Sequence, residues 1–376
     1  MCKSVVNIVT AIAISLSMVA AATAAPAEIK TLEIGAKAPN FRLPGVDGKR
    51  HRLAEYDKAK VLVIVFTCNH CPTAQAYEER IKKLAADFKD KGVALVGISP
   101  NDPKAVRLDE LGYTDLSDSL AEMKIRAKDK GYNFPYLYDG DKQEVSKAYG
   151  PVATPHVFVF DSERKLRFVG RVDDNERQPD QVTSQDTRNA IEALLAGKPV
   201  PVEKTKTVGC SIKWSDKRDS AKQAFEKWAK EPVTVNAIDL EGVKKLLKND
   251  GKKLRLINVW ASWCGPCGQE FPDLVEINRM YRGRDFEMVG ISVDGPKTKG
   301  DVPGFLEKNQ ASYPNRIYSG TDVRALIDVL DPKWEGAIPY TLIVKPGGEV
   351  LYRHLGEIEP LEVKKAIVEY LGRTYK

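Results

Sequence analysis

Two stretches of the chain repeat one hydrophobic rhythm. Val61-Leu62-Val63-Ile64-Val65-Phe66 is a continuous apolar, β-branched run, the pattern of a strand covered on both faces. Cys68-Asn69-His70-Cys71 follows at once, then Pro72. From Thr73 to Phe88 apolar residues recur at helical spacing, with Tyr77, Ile81, Leu84, Ala85 and Phe88 on one side. Gly92 ends that pattern and Val93 to Ser99 reads as the next strand. The second half repeats the order. Leu254 to Trp260 reads as a strand, Cys264-Gly265-Pro266-Cys267 follows, and a helical pattern runs through Phe271, Leu274, Ile277 and Tyr281. Gly283 stops it, and Phe286 to Val293 is the next strand.

The cysteine pairs keep one spacing, 196 positions from 68 to 264 and from 71 to 267. Later landmarks recur as well. Ala153-Thr154-Pro155 precedes a strand at His156 to Phe160, and Ala337-Ile338-Pro339 precedes one at Thr341 to Val344. Each half closes with a turn, another strand and a helix, Ser184 to Leu195 and Leu361 to Leu371. Alternating elements that end this way predict an α/β chain: a duplicated fold, each copy a mixed central sheet flanked by helices. The expected boundaries are 1–27 for a signal peptide, 33–197 for the first domain, 198–231 for a linker holding Cys210, and 232–376 for the second domain.

The signal peptide is read from its order. Lys3 gives a positive start, Val5 to Val19 is mostly apolar, and Ala20 to Ala27 offers small-residue cleavage sites. The apolar run is shorter than the ~20 residues of a spanning helix, so no stable membrane insertion is expected after cleavage. An uncleaved anchor is the alternative. Cys2 precedes the apolar run and would leave with the peptide. The net charge of +6 over 376 residues is small and mixed in sign, which gives no footprint for nucleic acid.

Five cysteines then remain: Cys68, Cys71, Cys210, Cys264 and Cys267. An odd number makes a poor disulfide framework, whereas two close pairs point to chemistry. A Cys-x-x-Cys between a buried strand and a helix meets unpaired backbone N–H groups and the positive end of the helix dipole. Both favour a thiolate at the first cysteine, which attacks; the second, one turn on, resolves the mixed disulfide. Half a zinc site is the rival reading, but no second such pair lies nearby in sequence. No cofactor is expected. His70, directly before Cys71, is expected to add positive charge and stabilise a Cys68 thiolate, making the first pair the more oxidising. Cys210 is either a third redox thiol or an inert one. His51, His156 and His354 read as structural.

The second half resembles the TlpA/ResA group of exported thioredoxins. The residues that carry the likeness are Ile257 to Cys267, with Trp263 directly before the pair, and Glu270-Phe271-Pro272 after it; it covers roughly 232–372. The resemblance implies a thioredoxin fold, with Cys264 as nucleophile, Cys267 as resolver, Glu270 as the acid that tunes the pair and Pro339 as a cis-proline facing the disulfide. Asn258 stands where cytosolic thioredoxins carry an aspartate. The first half is similar to a thioredoxin-like branch of the AhpC/TSA, peroxiredoxin-like, superfamily. Phe66 to Pro72, Pro100-Asn101-Asp102, Phe134 to Asp139, Thr154-Pro155, Gly170 to Asp174 and Gly209 to Trp214 carry that likeness over about 33–214.

These resemblances imply a thiol–disulfide oxidoreductase acting outside the cytoplasm, in the periplasm or beyond it. A reductant role is the implied direction. Disulfide-bearing exported proteins, apocytochrome c among them, are the implied substrates, and a membrane thiol relay of the DsbD/CcdA type the implied electron source. Two other classes remain open: a thiol peroxidase with a built-in reductant, and a copper-binding or metal-delivery module. The peroxiredoxin loop Pro-x-x-x-Thr-x-x-Cys is absent, because Ile64 and Cys68, or Val61 and Val65, fill its key places. Arg171 is the candidate cation to polarise peroxide, and an ordinary surface arginine is its plainer reading.

Overall fold

The computed structural model describes residues 29–295 and 301–375, so the expected signal segment lies outside the described residues. Each half is built on one mixed sheet. The first sheet runs, in spatial order, Tyr136–Tyr138, Val93–Ser99, Val61–Phe66, His156–Phe160 and Leu166–Gly170. Its first three strands are parallel and its last two antiparallel. The second sheet runs Val235–Ile238, Asn315–Tyr318, Phe286–Ser292, Leu254–Trp260, Tyr340–Val344 and Val350–Leu355, again parallel and then antiparallel.

The central strands show why a continuous apolar run is needed. Val61, Val63 and Val65 pack with Tyr77, Ile81, Leu84 and Phe88 of the helix Pro72–Phe88. Leu62, Ile64 and Phe66 point the other way, to Phe41, Leu43 and Tyr149. Successive side chains of a strand face opposite sides, so two covered faces require six apolar residues in a row. Each such buried side chain contributes ~1.5–3 kcal/mol. In the second half, Leu254, Leu256 and Trp260 meet Phe271, Leu274 and Ile277 of the helix Gly265–Tyr281. Ile257 and Val259 face Leu326 and Leu330 behind the sheet.

The halves are joined by more than the chain. Val106 and Leu111 of the first half enter the apolar core of the second. Tyr281 donates its hydroxyl to the Thr114 carbonyl at 2.7 Å. Arg284 donates to the Gly112 carbonyl at 2.9 Å and lies 3.9 Å over the Tyr113 ring. Arg373 clasps Asp115 with two bonds of 2.6 and 2.9 Å.

The stretch expected as a linker carries structure of its own. Cys210–Ser211 is a short strand, antiparallel to Ala153–Thr154, with Thr154 opposite Cys210. Arg218–Trp228 is a helix whose Trp228 is buried under the guanidinium groups of Arg279 and Arg282. No helix among the described residues is long and apolar enough to cross a membrane.

Candidate active sites

The second site follows the strand Leu254–Trp260. Cys264 caps the helix Gly265–Tyr281, its sulfur accepting the N–H of Cys267 at 3.3 Å. The two cysteines form a disulfide. Cys267 is fully buried, Cys264 is 8% exposed and Trp263 beside it is 61% exposed. The carbonyl of Ile338, in the cis Ile338-Pro339 bond, lies 3.7 Å from Cys264 Sγ. Glu270 lies three residues after Cys267, on the same side of the helix by spacing. Its Oε1 accepts from Asn258 Nδ2 at 2.7 Å and its Oε2 from the Ile358 N–H at 3.0 Å. Burial nevertheless pushes the Glu270 carboxyl up to about 7. A group poised there holds or releases a proton near neutral pH, as acid–base work at a thiol pair requires. Asn258, in the aspartate's place, is thus hydrogen-bonded to the side chain that can do the titrating.

The first site is built differently. Its helix, Pro72–Phe88, starts after the second cysteine, so Cys71 is the cap and its sulfur accepts the Ala74 N–H at 3.4 Å. Pro72 sits at the first helical position, where its missing N–H costs nothing. Asn69 and His70 stay outside the helix because their N–H groups both go to Asp118 Oδ1, at 2.8 and 3.2 Å. Asp118 Oδ2 takes His70 Nδ1 at 2.5 Å and Asn101 Nδ2 at 2.8 Å. His70 and Asp118 are both buried. Burial draws the imidazole towards neutrality, but the Asp118 carboxylate outweighs it and holds His70 protonated more strongly than usual. His70 Nε2 is buried and without a hydrogen-bond partner among the described residues.

Three thiols converge at this site. Cys68 and Cys71 are buried and Cys210 is partly exposed. Burial raises the Cys71 thiol, yet the hydrogen bonds from the Cys210 and Cys68 thiols, the His70 charge and the Ala74 N–H together hold it well below the usual range. The Cys210 N–H adds a donor at 3.3 Å. Against ionisation stands the Thr154 carbonyl, 3.2 Å from the same sulfur, which suits only the protonated thiol. The donors outnumber it, and we take the charge to rest on Cys71. Cys68 is driven the other way, by burial first and then by its bond to Cys71 and the Asp118 charge. Its sulfur lies 3.1 Å from Thr154 Oγ1. The expectation that His70 would stabilise a Cys68 thiolate is therefore corrected: the stabilised sulfur is Cys71, because the Cys210 and Cys68 thiols, the His70 charge and, last, the Ala74 N–H of the cap all bear on it, while Cys68 is raised.

Pro155 is cis, like Pro339, and stands directly after the strand that pairs with Cys210. His156 is buried and burial lowers it to about 4, which keeps it neutral. Arg171 is tied to Asp186 at 2.6 Å. Cys68, His70 and Asp118 place ligand atoms within 4.8 Å of one another, although Asp118 already accepts from four donors. Sequence reasoning missed Asp118 and Thr154. Pro72 was the readable signal for the shifted cap.

Two mixed sheets, two cysteine pairs between strand and helix, and a cis-proline after each define the thioredoxin-like class. The AhpC/TSA family model matches residues 34–169 and 221–353, and the chain belongs to that family. It is a thioredoxin-like oxidoreductase. Among its relatives are the thiol-disulfide oxidoreductase ResA of Bacillus cereus (strain ZK / E33L) and that of Oceanobacillus iheyensis. The first is 28% identical over 144 residues, 38% of this chain and 76% of the relative. The second is 30% identical over 117 residues, 31% of this chain and 52% of the relative. A crystal structure of an uncharacterized conserved protein from Geobacillus kaustophilus is 39% identical, covering 49% of this chain and 93% of that one, with a TM-score of 0.44.

Proposed function

We propose that the chain is an exported enzyme of dithiol–disulfide exchange, and that its second site reduces disulfides in extracytoplasmic proteins. The observation that carries this reading is the Cys264–Cys267 disulfide capping a helix, with Cys264, the less buried of the two, directly beside exposed Trp263. In the reducing direction, the Cys264 thiolate attacks a substrate disulfide and expels one substrate thiolate. Cys267 then attacks Cys264, the second substrate thiolate leaves, and the Cys264–Cys267 disulfide forms. Glu270, with its carboxyl near 7, is the group to take the Cys267 proton. The names of the ResA relatives support the activity. Apocytochrome c is a fitting substrate, a relay of the DsbD/CcdA type a fitting electron donor, and the periplasm or the extracellular space the fitting compartment.

The test is turnover of insulin disulfides with dithiothreitol as electron donor. Cys264→Ser should lower the rate at least about a hundredfold, as loss of a nucleophile does. Cys68→Ser/Cys71→Ser should keep most of it. Equal losses in both variants would sink the assignment to the second site.

A second reading has one observation in its favour. The Cys68, His70 and Asp118 cluster would suit a soft cation through sulfur and the unpartnered His70 Nε2. Stoichiometric Cu(I) retained against a chelator, and lost in His70→Ala, would move this reading ahead for the first half.

A further inference from the structure

The two sites differ at the edge next to the cis-proline. Among the described residues, no strand pairs with Ala337–Ile338 beside Cys264. In the first half that edge is filled: Cys210–Ser211 lies antiparallel on Ala153–Thr154, the Cys210 N–H donates to the Cys71 sulfur at 3.3 Å, and the Cys210 side chain packs against the Cys68, Cys71 and Ala74 cluster. The chain thus lays one of its own cysteines along the edge. Cys68 is badly placed to work with a substrate. It is buried, its sulfur is held against Thr154 Oγ1, and the turn after it is pinned by Asp118. Of the three thiols only Cys210 reaches solvent.

We propose that the working redox couple of the first half is Cys71–Cys210, that Cys210 is its entry sulfur, and that its substrates are small disulfides rather than disulfides in proteins. Cys71 and Cys210 begin with one proton between them. Cys210 passes its proton to the neighbouring Cys71 sulfur, and the Cys210 thiolate so formed bonds to one sulfur of an incoming R–S–S–R′. The R–S–S–R′ bond breaks, and R′S⁻ leaves with the proton held on Cys71. The Cys71 thiolate then attacks the Cys210 sulfur, a Cys71–Cys210 bond forms and RS⁻ departs. Two protein thiols lose two electrons and the external disulfide gains them. A peptide substrate would need the edge that Cys210–Ser211 already occupies, so a small molecule that needs only the partly exposed Cys210 is favoured.

The experiment uses the full chain carrying Cys264→Ser/Cys267→Ser, so that its outcome does not depend on the second site. The reduced protein is oxidised with glutathione disulfide, quenched in acid and alkylated, and its cross-linked peptides are identified by mass spectrometry. A Cys71–Cys210 cross-link is expected, and it should persist when Cys68→Ser is added. Cys210→Ser keeps the backbone N–H and the strand, and should stop at no intramolecular cross-link. A Cys68–Cys71 cross-link with Cys210 left alkylated would overturn the proposal, as would the absence of any cross-link. Insulin reduction by this background at the wild-type rate would overturn the limit to small disulfides.

Discussion

Cys264 and Cys71 each cap a helix of 17 residues, yet one is the first cysteine of its pair and the other is the second. The difference is small in sequence. Pro266 stands at the second helical position of its helix, whereas Pro72 stands at the first. Its chemical consequence is large. In the second half the capping cysteine is also the less buried of its pair, and it sits beside exposed Trp263. In the first half the capped sulfur is fully buried, and the surface role passes to Cys210, carried in from elsewhere in the chain. One motif, set into a helix in two registers, gives an open pair and a covered group of three thiols.

The sharpest way to break this comparison is Asp118→Ala. Asp118 holds the turn between Cys68 and Cys71 out of the helix through three hydrogen bonds, and takes a fourth from Asn101. Its loss strands two backbone N–H groups and a buried imidazolium. The expected cost is about 3–5 kcal/mol in urea unfolding, the range for removing one partner of a buried charge pair. A cost below about 1 kcal/mol would mean that the turn does not depend on Asp118. The same variant should raise the Cys71 pKa, read by ultraviolet thiolate absorbance, because His70 loses what keeps it charged.

Two buried carboxylates then give opposite pH signatures. Burial raises Glu270 from 4.5 to about 7. Between those values the folded chain keeps a proton that the unfolded chain releases. Stability therefore falls as pH rises across that window and levels off above it, by up to about 3 kcal/mol. Asp118 is buried too, but the His70 charge and its hydrogen bonds hold it below its ordinary value. Its contribution is present above the unfolded aspartate range and is lost as pH falls through the folded pKa. Glu270→Gln should flatten the slope between pH 4.5 and 7 in urea melts and leave the acid limb alone. An unchanged slope would place the titrating group elsewhere.

How much of this was legible follows from sequence distance. The strands before each pair were readable because two covered faces force unbroken apolar runs. The helices were readable by their spacing, and the shifted cap was written in Pro72. Asp118 was not readable: it lies 48 residues beyond His70 in a stretch with no motif, and only the fold brings it back. Cys210 stood out as the odd cysteine, but two strand residues in a run of Lys, Pro and Ser carry no periodicity to reveal their pairing. The contact between the halves was equally hidden, since Val106 and Leu111 are single apolar residues in an irregular segment.

That contact supplies the gentlest probe of the covered site. The last turns of the second half run back across the first, with Arg373 bound to Asp115 and the Tyr375 ring 5.0 Å from that of Tyr113. Burial and then the neighbouring Cys210 and Cys71 push the Tyr375 phenol up to about 12, a shift that places its ring beside the Cys210 thiol. Tyr375 is thus a partial cover over the one first-half thiol that meets solvent. It is itself 42% exposed, so Tyr375→Ala should cost under about 1 kcal/mol of stability. The expected gain is in access: Cys210 should react with iodoacetamide severalfold faster in Tyr375→Ala than in the parent, while the Cys264 rate in the reduced protein stays fixed. An equal rise at both cysteines would point to general loosening. No rise at Cys210 would mean that the strand on Ala153–Thr154 alone controls its exposure.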